Sequence, residues 1–170
     1  MDMTVNEITR WRRAFAHLIL PIASRNELDP LLVEGVIQVE SGGNPWAFRN
    51  EPRWKYWVHW DTGAPYKGSL LSLPRPPGVS RASERALQGS SWGLMQIMGS
   101  VARENGFYEP WLTRLLMPEV NLEYGCKYLG KLLKRAGGDV EKALTRWNGS
   151  SVYPPKVISA MKELNRKEDT

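Results

Sequence analysis

Glu40 is the residue of this sequence best placed to do acid chemistry. Asp29-Pro30 offers a helix N-cap followed by a proline at the first helical position. Ser41-Gly42-Gly43-Asn44-Pro45 supplies the breakers that end that helix. Val33, Val36 and Ile37 precede Glu40 by seven, four and three residues, all same-face spacings. An ionisable group therefore projects from the apolar face of a helix at its C-terminal end. Loss of water disfavours the carboxylate, and the negative end of the helix dipole disfavours it further. Both effects raise the pKa. A carboxyl group kept protonated near neutral pH is what a general acid for glycoside cleavage requires. Taken alone, this reading competes with a simpler one, a charged helix end facing water.

Two further stretches carry chemistry-bearing residues. Gly93-Leu94-Met95-Gln96-Ile97-Met98 sets one Gln in an apolar run behind a glycine. That pattern suits close backbone approach and one chosen polar contact. Trp147-Asn148-Gly149 sets an aromatic beside a turn amide. Each alone is ordinary structure.

In order, these pieces resemble the successive motifs of the soluble lytic transglycosylases and goose-type lysozymes. The series is Glu40-Ser41-Gly42-Gly43-Asn44-Pro45, Gly93-Leu94-Met95-Gln96-Ile97-Met98, Pro118-Glu119-Val120-Asn121 and Trp147-Asn148-Gly149. Leu28-Asp29-Pro30-Leu31-Leu32-Val33 is similar to that family's approach to its catalytic Glu. The resemblance runs from about Ile22 to Met161. It implies a mainly α, lysozyme-like (goose-type) single domain that cleaves the β-1,4 bond between N-acetylmuramic acid and N-acetylglucosamine in peptidoglycan. It implies that Glu40 protonates the leaving oxygen, then takes the proton of the muramic C6 hydroxyl as a 1,6-anhydro ring closes. Ser41 is expected to hydrogen-bond near the reacting sugar. Met95 and Gln96 are expected to line the cleft and Asn121 to buttress it. Trp147 and Asn148 stand where the family usually has Tyr and Asn. An indole donates but cannot accept, so the polar role of position 147 is the one in question. No metal or cofactor is implied.

The alternative outcome is hydrolysis. An inverting muramidase needs a second carboxylate roughly 6.5–9.5 Å from the first to activate water. Goose-type lysozymes draw acids from the segment before Gly-Leu-Met-Gln. That segment holds Glu51, Asp61 and Glu84 here, with no acid between Gln88 and Gln96. Glu84 is the candidate second carboxylate, set against a plain solvated or Arg-paired charge beside Arg81 and Arg85.

The elements that must position these groups are mostly helical. Phe15, Leu18, Ile19 and Ile22 have amphipathic spacing. The basic-then-apolar stretch Arg10 to Ala23 therefore reads as a mature helix rather than a signal peptide, since His17 interrupts it and no small-x-small site follows. From Trp46 to Gly89 the chain reads as one long functional loop, with a short hairpin near Trp57 to Tyr66. This insertion, over about 46–90, is similar to the version in some phage and phage-derived bacterial members. A helix is expected over Gly93 to Glu104, broken at Gly99, and a short one over Pro110 to Leu116. The clearest helix is Pro118 to Ala136. Val120, Tyr124, Tyr128 and Leu132 form its apolar face, and Glu119, Glu123, Lys127 and Lys131 its solvated one. Asp139 caps a helix to Trp147, and a last helix runs from about Pro155 to Lys167. Little strand is expected, and residues 1–170 read as one domain.

Composition narrows the partners. The 170 residues carry a formal net charge of +5, eight Trp, two His and one Cys. One Cys excludes an internal disulfide, and the few Cys and His argue against structural zinc. No apolar run reaches membrane-spanning length. The basic charge suits an anionic wall or a nucleic acid, but Lys and Arg form no recognition-helix cluster. Nucleic acid and stable membrane insertion are therefore not expected. The expected partner is the peptidoglycan glycan strand, met by a monomer. Trp46, Trp54, Tyr56, Trp57, Trp60 and Trp92 are candidate sugar platforms, each competing with plain core packing. A wall-binding module without catalysis is the remaining class, and the presence of Glu40 argues against it.

Overall fold

A computed structural model describes residues 5–166; positions 1–4 and 167–170, the ends of the expected single domain, and the expected helix end at Lys167, lie outside it. Helix α1 (Val5–Arg25) buries Ile19 and Ile22 and half-buries Phe15 and Leu18, while His17 faces out. The stretch Arg10 to Ala23 is thus the interior of a packed helix.

Asp29 caps α2 (Pro30–Glu40), its carboxylate accepting from the Leu31 N–H at 2.9 Å. Leu32, Val33, Val36 and Ile37 of α2 are buried. Each such side chain contributes about 1.5–3 kcal/mol relative to exposure. Gly35 lets α2 lie close against α7 (Tyr153–Arg166): a Cβ there would come within 2.6 Å of Met161 and 3.3 Å of the Val157 carbonyl oxygen. Arg12 ties this layer together, donating to Glu34 at 2.7 Å and to the Leu164 carbonyl at 3.1 Å.

The stretch from Trp46 to Gly89 is more ordered than a single loop. It contains β1 (Phe48–Asn50), the expected hairpin of β2 (Trp57–Val58) and β3 (Pro65–Tyr66), and helix α3 (Arg81–Gln88). Ser80 caps α3 through the Ser83 N–H. The expected helix from Gly93 begins only at Gly99. Ser90–Trp92 forms β4, Gly93 to Gln96 is a tight turn, and Ile97–Met98 forms β5, followed by α4 (Gly99–Glu104). Strand β4 is central in an antiparallel sheet of order β1-β4-β5, pairing Arg49 with Ser91 and Ser91 with Met98. The expected short helix is a 3₁₀ segment, Leu112–Leu116.

Helix α5 (Pro118–Arg135) divides two apolar clusters. Leu122, Cys126 and Leu129 pack with α1, α2 and α7. Val120, Tyr124 and Tyr128 pack against a second cluster of Trp92, Ile97, Val101, Phe107, Leu112 and Leu115. The expected apolar face is therefore one of two. Glu123 and Lys127, both expected on its solvated face, do not pair with each other. Glu123 binds Arg25 at 2.6 Å, and half-buried Lys127 donates to the Asn105 carbonyl. Asp139 caps α6 (Val140–Asn148), which ends at Gly149. Among the described residues no helix is long and apolar enough to cross a membrane.

Candidate active site

Glu40 is the last residue of α2, and Trp147 lies at the end of α6 while Tyr153 opens α7. The packing of α2 and α6 on α7 brings the three together. The Tyr153 hydroxyl donates to Oε1 of Glu40 at 2.7 Å, and the Trp147 indole N–H donates to the same oxygen at 3.1 Å. An oxygen that accepts two hydrogen bonds takes the carbonyl role of a neutral acid, so the proton belongs on Oε2.

Burial is the largest influence on Glu40 and raises its pKa. The bonds from Tyr153 and Trp147 and the positive charge of Arg49 pull it down, and Glu51 pushes it up. Burial prevails, so the acid form is favoured above the ordinary carboxyl range. Burial also raises the Tyr153 hydroxyl, with Glu40 adding to it, so Tyr153 stays a donor.

Glu40 faces a cleft of about 440 Å³ between the helical layer and the small sheet. Tyr128, Arg146, Trp147 and Asn148 line it on one side; Arg49, Glu51, Arg53, Trp54, Ser91, Gln96 and Met98 line the other. The Tyr128 and Trp147 rings meet at 5.4 Å.

The turn from Gly93 to Gln96 is fixed from behind. Asn121 is fully buried and accepts from the Met95 N–H at 2.8 Å while donating to the Trp92 and Leu115 carbonyls. Gly93 has φ +64, and a Cβ there would sit 2.5 Å from Asn121 Nδ2 and 2.6 Å from the Leu115 oxygen. Gln96 holds φ +49, a sparsely occupied region for a residue with a side chain. Its amide donates to the Ala47 and Gly93 carbonyls, and its oxygen accepts from Ser91.

Glu40, Gln96, Trp147 and Asn148 therefore meet in one cleft, with Asn121 behind it. Met95, expected to line the cleft, and Ser41, expected near the reacting sugar, are held by the protein itself. The Met95 side chain is fully buried against Gly125 and Cys126. Ser41 gives its hydroxyl proton to the Leu94 carbonyl at 2.7 Å, which ties the end of α2 to the turn. Glu84 is also elsewhere. It is completely buried, with Arg103 donating to both oxygens at 3.0 and 3.1 Å and Gln88 donating at 2.9 Å. Its partner is Arg103, not the neighbouring Arg81 or Arg85. Of the three acids weighed in the segment before Gly93, Glu51 is the one in the cleft, paired with Arg49 at 2.5 Å.

Among the aromatics, Trp54 lines the cleft, Trp92 is core and Trp46 is exposed. Sequence reasoning missed Tyr153. No spacing links it to Glu40 across 113 residues. The signal available was that the hydroxyl lacking at position 147 had to come from elsewhere. Arg49, Arg53 and Arg146 were missed as cleft residues too.

The model of one protein family, described as the Transglycosylase SLT domain, matches residues 17–169. No curated protein matches the chain.

Proposed function

As the chain belongs to the Transglycosylase SLT domain family, whose members are lytic transglycosylases acting on peptidoglycan, we propose that Glu40 alone carries both proton transfers of a non-hydrolytic cleavage. Neutral Glu40 gives its proton to the glycosidic oxygen as the bond from the muramic C1 breaks. The resulting carboxylate then takes the proton of the C6 hydroxyl. O6 bonds to C1, closing the 1,6-anhydro ring, and Glu40 ends protonated as it began. No water is consumed. The products are a 1,6-anhydromuramic end and a free 4-hydroxyl on the leaving N-acetylglucosamine.

The observation that carries this reading is the surroundings of Glu40. Burial favours the acid needed first, and the Tyr153 and Trp147 donors steady the carboxylate formed next. Gln96 and Asn148 line the same cleft, and the Gly93–Gln96 turn is held by Asn121. The long segment from Trp46 to Gly89 supports a phage-type member.

One observation favours a second reading, a muramidase. Glu51 shares the cleft with Glu40 and would be the base that activates water, in place of Glu84. Mass spectrometry of muropeptides from digested peptidoglycan separates the two. Products lighter by one water than the hydrolytic ones are expected. Water-added reducing ends would move the assignment to Glu51, and a Glu51→Gln variant that loses them would fix it there. No products would return the chain to a wall-binding module.

A further inference from the structure

The cleft is more cationic than a neutral sugar strand requires. Arg49, Arg53 and Arg146 line it, against Glu40 and Glu51. Burial keeps Glu40 toward its neutral form, and Glu51 balances only Arg49. Among the described residues, no carboxylate pairs with Arg53 or Arg146, two exposed charges on the two sides of the cleft. Arg146 is steadied by one nitrogen, which donates to the Arg135 carbonyl at 3.0 Å, leaving its other N–H groups for a ligand. Arg53 is exposed at the sheet side, four residues past Arg49.

The backbone of a peptidoglycan strand carries no charge. Its carboxylates hang from the muramic residues, as the free lactyl group of bare strands or as acids of the attached peptide stem. A guanidinium matches a carboxylate by two parallel N–H donors. Both arginines are exposed, so the attraction acts through water, speeds encounter and is screened by salt.

We propose that Arg53 and Arg146 form a carboxylate-recognition rim that selects strands bearing acidic groups on their muramic residues. This rests on the reading that a peptidoglycan strand occupies the Glu40 cleft.

The test is equilibrium binding by the Glu40→Gln protein, which leaves bound strands uncut. Three probes of matched length are compared: strands with intact stems, strands stripped by an amidase to the free lactyl acid, and neutral N-acetylglucosamine oligomers. Muramic strands are expected to bind about tenfold or more tightly than the neutral oligomer at low salt. The advantage should shrink as salt rises and fall toward one in Arg53→Gln/Arg146→Gln. Tighter binding of intact strands identifies the stem acids as the ligand; tighter binding of stripped strands identifies the lactyl acid. Equal binding of all three probes, or an advantage untouched by the double variant, overturns the proposal while leaving the cleft a sugar site. Binding of none overturns it together with the reading it rests on. Muropeptide masses from the unmutated enzyme are independent of either result.

Discussion

The Tyr153 hydroxyl and the Glu40 carboxylate meet at 2.7 Å, joining the first residue of α7 to the last residue of α2. This contact couples helix packing to chemistry. A bond to the charged form of a carboxyl group lowers its pKa, and here it opposes the burial that raises it. Tyr153→Phe is therefore expected to push the Glu40 pKa further up. In a pH series of wall lysis, the alkaline limb should move to higher pH while the rate at the optimum falls. An unmoved limb with a lowered rate would reduce Tyr153 to a packing role. Trp147→Phe, which removes the second donor on the same oxygen, should shift the limb in the same direction.

Glu40→Gln is expected to fold and to lose at least about a hundredfold in lytic rate, the usual contribution of a general acid. It should also be more stable than the parent at pH 7. The sign follows from linkage. The folded pKa lies above the ordinary Glu value of 4.5, so the stability Glu40 contributes is full below that value and is lost as pH rises through the folded pKa. Gln keeps an oxygen for Tyr153 and Trp147 and never pays for ionising. Thermal melts should show a gap in Tm that is present at pH 7 and closes toward pH 4. A gap that is constant with pH would contradict a raised pKa.

The Glu84–Arg103 pair is a structural pin of the segment before the sheet. Both side chains are fully buried, and Arg103 also donates to the carbonyls of Phe107, Glu109 and Pro110. Removing one partner leaves an uncompensated buried charge. Arg103→Met should cost about 3–5 kcal/mol of unfolding free energy. Glu84→Gln turns one of the two accepting oxygens into an N–H₂ that faces a donor of Arg103 or Gln88 and leaves Arg103 buried without a counter-charge, so its cost should be of the same size, about 3–5 kcal/mol. At temperatures where it is folded, Glu84→Gln should retain its lytic rate. A folded Glu84→Gln protein without activity would return Glu84 to the list of bases.

What could be read in the sequence was what local rules govern. Asp29-Pro30 and the breakers after Ser41 bound α2, and the spacing from Val33 to Glu40 put the acid on its buried face. Helix α3 escaped because its buried positions, Glu84 and Gln88, are polar and give no apolar period, although Ser80 offered a cap. The run from Gly93 to Met98 looked helical because it is apolar. Its shape is set instead by Asn121, far along the chain, and by strand pairing of Trp92 with Ile97. Asn121, named as a buttress through the resemblance, holds the turn from behind, while Met95 turns into the core and Ser41 bonds to the Leu94 carbonyl; a motif does not say which of its side chains turns inward. Tyr153 and the cleft arginines depend on how α6, α7 and β1 come together, which no local pattern encodes.

Gly93 tests how tightly the turn beside Glu40 is built. Its φ of +64 strains any residue with a side chain, and the space a Cβ needs is held by Asn121 Nδ2 at 2.5 Å and a backbone oxygen at 2.6 Å. Gly93→Ala therefore must shift Asn121, which loosens the bond to the Met95 N–H and with it the backbone leading to Gln96. The cost should be about 2 kcal/mol or more in urea unfolding. Asn121→Ala frees the same space but strands three buried backbone groups, each about 1–3 kcal/mol. If the turn is fixed by this contact alone, the double variant Gly93→Ala/Asn121→Ala should lose less than the sum of the two singles, because the methyl no longer meets the amide. Strict additivity would mean that the strain at Gly93 lies in its backbone angle and against Leu115, and not against Asn121.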